Sequence, residues 1–207
     1  MDEVTTVPSD DVPATQHIVQ RKLGRCLLRL QQYERQLKAI VVHCELTGLV
    51  DQISEIRRHK VKCAKKMTIG TLMGMLTESF LTPPHPNEEE SQTEAYVGDQ
   101  IWLRHRHQLE MTAEDYEAMK ADLKEMVDLR NSLVHQFIER FDLWSESGCQ
   151  AADGFLEESY ETINRHCLNL QRWAKNMIEA RAKMASFIQS QAFEDALDGI
   201  RVDGSVD

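Results

Sequence analysis

"TAEDYEAMKADLKEMVDLRNSLVHQFIERFDLW", residues 112–144, decides how this chain is read. At about 100° per residue, Met119, Leu123, Met126, Leu133, Phe137 and Phe141 fall on one arc, the signature of an amphipathic helix. Arg130 falls on that same arc, and Asp128, Asn131 and His135 fall together on the opposite side. Thr112 has N-cap chemistry and Asp115 follows at the third helical position, so the helix is predicted to start there and run to about Trp144.

Outward from this segment the period changes. In "DQIWLRHRHQLEM" (99–111), Ile101, Leu103, Leu109 and Met111 alternate with Trp102, Arg104, Arg106, Gln108 and Glu110. A period of two predicts a strand, here half of a short β-hairpin whose partner comes from the 80–100 region. "PPHPNEEESQTE" (83–94) reads as a loop. Further back, Ile18, Leu23, Leu27, Leu30, Leu37, Ile40 and Val41 predict a helix over 14–45, and two more are expected over 47–58 and 68–80. Toward the C-terminus "SESGCQAADG" reads as a break, with a last long helix over 155–190. Residues 1–13 are expected as a flexible arm, 14–194 as one helical domain and 195–207 as a polar tail or linker. The fold class is all-α: a four- to five-helix bundle with a β-hairpin insertion near 99–111.

Composition supports this. Aromatic content is 6% and Gly and Pro are sparse, which favours helix. A net charge of −10 argues against a surface that coats nucleic acid uniformly. The five cysteines are odd in number and form no CxxC pair, so a reducing, cytoplasmic setting is expected. No apolar run is long enough to span a bilayer and the acidic N-terminus lacks the features of a signal peptide, so no membrane partner is expected.

Arg130-Asn131-Ser132-Leu133-Val134-His135 resembles the R-N-x-x-x-H form of the RxxxxH motif of HEPN domains, which are all-helical and mostly dimeric. "GRCLLRLQQYERQLKAIV" (24–41) and "RNSLVHQFIERFDLW" (130–144) look like the bacterial HEPN proteins that carry a C-terminal OST-HTH (LOTUS) module. The resemblance covers roughly residues 15–190, no such module follows in this sequence, and the segments 83–94 and 99–111 look like a subfamily insertion. It implies a metal-independent endoribonuclease of toxin–antitoxin, phage-defence or RNA-processing type, without a cofactor. The partners it implies are RNA, a second copy of the chain, and a cognate antitoxin or regulatory protein. The alternative within the family is a non-catalytic dimer that binds RNA or a protein; outside it, a structural helical adaptor.

The residue types suit the chemistry. Cleavage by the neighbouring 2′-hydroxyl, leaving a 2′,3′-cyclic phosphate, needs a base, an acid and positive charge on the phosphorane. His135 suits proton transfer, and Arg130 can hold two phosphate oxygens at once. Asn131 lies four residues before His135 and can position the ring or a phosphate; Asp128, one turn earlier, can assist either Arg130 or His135. In an α-helix, however, residues 130 and 135 point about 140° apart, a misfit that a site shared between two copies would relieve. The residues alone leave other readings open. Arg130 can be a snorkelling side chain or half of a buried ion pair, with Asn131 and His135 merely facing solvent.

"RRHKVKCAKK" (57–66) holds six Lys or Arg and no acid. Arg57, Arg58, Lys60 and Lys62 are candidate phosphate contacts, or else a solvated helix face. Arg104 and Arg106 share one strand face and are candidate RNA-backbone contacts. His105 and His107 share the other with the spacing of a metal pair, but no further ligand is evident, so no metal is expected. His59 and Cys63, four apart on a helix, are read as core or chance. Trp102, Trp144 and Trp173 are read as packing residues.

Overall fold

The computed structural model describes residues 12–82 and 102–195. Helix α1 spans Val12–Cys44 and runs directly into strand β1, Glu45–Leu49. Helices α2 (Ile53–Ala64) and α3 (Ile69–Ser79) and the two-residue strand β2 (Leu81–Thr82) follow. After the segment 83–101 come β3 (Trp102–Arg106), β4 (Leu109–Glu110), α4 (Ala113–Asn131), a π turn over Ser132–Gln136, α5 (Phe137–Arg140) and α6 (Glu146–Ile188). The described chain is mostly helical, as the composition predicts. It forms two compact units, one ending at Leu168 and the other beginning at Asn169.

In the first unit α1 and α6 run parallel. Lys22 pairs with Asp153 (2.8 Å) and Glu157 (3.0 Å), the Arg25 guanidinium lies 3.5 Å from the Tyr160 ring centre, and Arg29 donates to Asn164 (2.7 Å). Contact positions rise together along both helices. Helix α4 runs the other way: Glu125 faces Arg165, while Phe137 and Phe141 meet Phe155. Helix α3 packs on α1 and α4, burying Leu72, Met73 and Leu76, and Tyr116 donates to the Thr77 carbonyl.

The core seam on α6 is regular. Cys149, Ala152, Leu156, Ser159, Ile163 and His166 are buried at alternating steps of three and four. On α1 the buried line is Val19, Cys26, Leu30, Tyr33, Leu37 and Ile40. The apolar pattern of the sequence placed it one residue off in the first half: Ile18 is exposed, and Leu23 and Leu27 are half-buried. The small Cys26 sits there instead, its thiol against the Leu156 carbonyl (3.3 Å), and cysteine behaves as a small hydrophobe.

Several assignments differ from expectation, among them the second helix, which ends at Ala64 rather than at residue 58. Residues 45–49 are a strand rather than the start of a helix. β3 is extended as predicted, but its antiparallel partner is β1, with Glu45 opposite Arg106 and Leu49 opposite Trp102. β4 pairs in parallel with β2, so among the described residues no two strands form a hairpin. Local alternation reveals a strand, whereas its partner is fixed by the tertiary fold. The helix opening at 113 stops at Arg140, not Trp144. The last helix starts at Glu146, nine residues early, because Ser145 caps it and Cys149 and Ala152 lie on the buried seam. The loop at 83–94 and most of the expected arm (1–13) and tail (195–207) lie outside the described residues, but Val12 and Pro13 already belong to α1 and Asp195 is helical.

The Ser145 turn requires a glycine at 148, since a Cβ there would overlap the Asp142 carbonyl oxygen. Gly148→Ala should therefore destabilise the protein by about 1–3 kcal/mol, the usual cost of forced overpacking, read as a lower urea midpoint at unchanged slope. A midpoint equal to wild type would show that the turn has room.

The second unit carries the rest of α6. Leu170, Trp173 and Met177 are buried, Ile178, Met184, Phe187 and Ile188 are exposed, and the Phe187 and Phe193 rings meet edge-on at 5.6 Å.

Candidate functional site

The Thr112 hydroxyl accepts the Asp115 amide (3.1 Å) and donates to the Asp115 carboxylate (2.7 Å), so α4 begins where its capping chemistry predicts. Leu123 and Met126 hold it in the core, and Leu133 and Phe137 continue the buried line. Arg130 falls between Met126 and Leu133 on this line and is half-buried.

The helix does not keep its α period through the motif. Ser132–Gln136 form a π turn. Such a turn bonds each residue to the fifth one along, so residues five apart come close to alignment instead of diverging by about 140°. Arg130 and His135 are five apart. The Arg130 Nη1 lies 2.8 Å from His135 Nε2 and also donates to Asn131 Oδ1 at 3.2 Å. The angular misfit in the sequence is thus resolved inside one chain, without a second copy. The π turn brings the two side chains together.

The contact fixes the imidazole's role. A guanidinium only donates, so in this contact Nε2 is the accepting nitrogen. His135 is exposed, which leaves it open to an incoming ligand. Asn131 is half-buried and turns to Arg130 rather than to the ring. Asp128 is exposed and, among the described residues, makes no hydrogen bond or ion pair with Arg130 or His135. Ser132 donates to the Gln136 side chain (3.3 Å) across the π turn. Val134 is 45% exposed and Ile138 81% exposed, so apolar surface flanks His135.

Comparison of the chain with family models, curated proteins and solved structures found no match. What the motif can do is therefore read from its own geometry and chemistry.

The basic candidates divide. Arg57, Arg58 and Lys62 are exposed on α2, whereas Lys60 is half-buried and donates to the Glu45 carbonyl (2.7 Å), a structural bond that ties α2 to β1. Arg104 is exposed and Arg106 half-buried, opposite Thr47 and Glu45 of the same strand β1. The strand arginines are therefore close in the fold to α2 rather than on a separate hairpin. His105 and His107 meet edge-on at 4.6 Å, and among the described residues no three His, Cys, Asp or Glu gather as a metal site. Cys63 lies 3.7 Å from the His59 ring. Trp173 is buried as expected of a packing residue, but Trp102 and Trp144 are exposed, Trp144 at 81%. Trp144 lies beyond the end of α5, past the helix it was expected to close.

Three of the thiols make poor nucleophiles. Burial pushes Cys26 up to about 11 and raises Cys44 and Cys167 as well, and all five cysteines are free. One buried pair gave no signal in the sequence. The Tyr33 and His166 rings meet edge-on at 6.3 Å, and Tyr33 Oη and His166 Nε2 have no partner among the described residues. Burial lowers the His166 imidazole, with Asp122 opposing, and raises the Tyr33 phenol. Both side chains belong to the core seam. Among the described residues, no helix is long and apolar enough to cross a membrane.

Proposed function

We propose that this chain is a HEPN-type, metal-independent endoribonuclease that cleaves RNA by attack of the 2′-hydroxyl and leaves a 2′,3′-cyclic phosphate. The observation that carries this reading is the 2.8 Å approach of Arg130 Nη1 to His135 Nε2 across a π turn. A base and a fixed positive charge stand side by side on an exposed helix face, two of the three groups that this reaction asks of a protein, the acid being the third. π turns are uncommon and recur at functional sites.

In this mechanism the phosphate draws the Arg130 guanidinium off His135 and takes its planar fork on two oxygens. Nε2 is then free to take the 2′-hydroxyl proton. Asn131 Oδ1 accepts from the same Nη1 that meets His135, and keeps hold of the guanidinium there. Asp128, which touches neither residue in the free chain, contributes charge alone unless RNA reorders it. A single imidazole cannot accept a proton and donate one in the same step. The leaving 5′-oxygen therefore calls for a second acid, and a second copy of the chain would bring one. The exposed Val134 and Ile138 beside His135 supply an apolar surface for such a homodimer, with its axis near His135. RNA processing, phage defence and toxin–antitoxin systems with a cognate antitoxin or regulator are the settings such an enzyme fits, in the cytoplasm.

The alternative is a non-catalytic dimer that binds RNA or a protein partner. One observation favours it: apart from Arg130, no side chain is hydrogen-bonded to the His135 ring among the described residues, so its orientation is loosely fixed. The two separate by incubating the protein with labelled RNA in excess chelator. The enzyme reading expects fragments ending in a 2′,3′-cyclic phosphate. Bound but intact RNA would leave the binding module.

A further inference from the structure

We propose that the groove between the second half of α1 and α2 binds single-stranded RNA, placing a base on its apolar floor and phosphates on Arg35 and Lys65. The proposal rests on the RNA reading above and adds a site that the RNA motif does not include. The groove encloses about 490 Å³, within the range of small-ligand sites, and lies within the first unit. Ala39, Val42, Val61 and Ala64 line it, with the buried Val42 and Ala64 as its floor and the exposed Ala39 and Val61 as its walls. Arg35, Lys38 and Lys65 stand on its rim with one acid, Glu34. Glu34 is already engaged: Lys38 bonds it at 2.6 Å and reaches the Lys65 carbonyl at 3.3 Å. Arg35 and Lys65 are exposed and, among the described residues, paired with no carboxylate.

The charge does not stop at the rim. Arg57 and Arg58 stand one turn back from Val61 on α2, at spacings of four and three, so the cations continue along the groove-facing ridge. None of Arg57, Arg58, Lys62, Lys65 and Lys66 forms an ion pair among the described residues. Unneutralised cations in a row match the repeated phosphates of a strand better than the single phosphate group of a free nucleotide. A recessed apolar floor next to the row suits an unstacked base, which a single strand offers and a duplex does not. The floor is aliphatic, so base contact there is tolerant of sequence.

The test is fluorescence anisotropy of the full chain with a labelled 12-nucleotide 2′-O-methyl oligouridine, which no 2′-hydroxyl mechanism can cleave. Arg35→Glu combined with Lys65→Glu should weaken binding by about tenfold at moderate salt and flatten the slope of log K against log salt by about 0.7 for each phosphate no longer neutralised. Val61→Trp, which fills the groove without changing charge, should also weaken binding severalfold. All three side chains are exposed, so the variants should keep the wild-type helical circular dichroism. Wild-type affinity and slope in the double variant would overturn the proposal, as would no RNA binding by the wild type. A poly-glutamate peptide that competes as well as the RNA would also overturn it, since the groove would then read charge alone. The cleavage reading fails separately, if His135→Ala cuts unmodified RNA as fast as wild type.

Discussion

His135→Ala should reduce single-turnover cleavage of RNA in chelator by roughly 10²–10⁴-fold, the usual worth of a positioned proton-transfer group. The expectation is specific to chemistry. His135 is exposed, so its removal leaves no cavity, and stability should stay within about 0.5 kcal/mol of wild type. Affinity for uncleavable 2′-O-methyl RNA should hardly change, because a neutral imidazole adds little to phosphate binding. Removing the ring also releases Arg130 from its 2.8 Å contact, leaving the guanidinium free for phosphate, so a modest gain in affinity is the direction to look for. Equal cleavage rates in variant and wild type would end the catalytic reading, and the Arg130–His135 contact would then be a surface hydrogen bond in a binding module.

The sequence made the all-α class legible because periodicity and composition agree over most of the chain. Leu123, Met126, Leu133 and Phe137 are buried as their spacing predicts, and Thr112 caps the helix it was expected to cap. Boundaries were less legible where tertiary contacts decide them. "SESGCQAADG" looks like a break because glycines and serines weaken helix propensity, yet Cys149 and Ala152 bury a seam that outweighs it. The partner of β3 was invisible for a different reason. Alternation in Trp102–Arg106 says only that the segment is extended; pairing with Glu45–Leu49 depends on where the end of α1 delivers the chain.

The site was half legible. Motif residues stood out, but an α-helical wheel set Arg130 and His135 on different faces and so pointed to a shared site between copies. A π turn leaves almost no imprint on composition, because its residues are ordinary helix formers. In the proposed mechanism a second copy would supply an acid opposite the base, with the apolar Val134 and Ile138 as its contact surface, and angular strain no longer argues for it.

Arg130→Ala should differ from His135→Ala by failing in two assays instead of one. Loss of the guanidinium removes positive charge from the developing phosphorane, and deleting such a preorganised donor costs about 10²–10³ in rate. It also removes a charge-assisted hydrogen bond to the ground-state phosphate, worth about 1.5–3 kcal/mol, so RNA affinity should fall about ten- to a hundredfold. Arg130→Lys separates charge from geometry. An ammonium restores attraction to phosphate, so affinity should return to near wild type. It lacks the planar fork that can meet two oxygens at once, so the rate should stay well below wild type. The half-buried position and the bond to Asn131 Oδ1 give a control. If Arg130 were only a structural element of the π turn, Lys and Ala would lower the melting temperature together, and affinity would follow stability rather than charge. Full cleavage by Arg130→Lys would show that a point charge suffices and that the fork has no part in the reaction. Low rate with restored affinity would place the guanidinium on the transition state, beside the imidazole that the π turn brings to it.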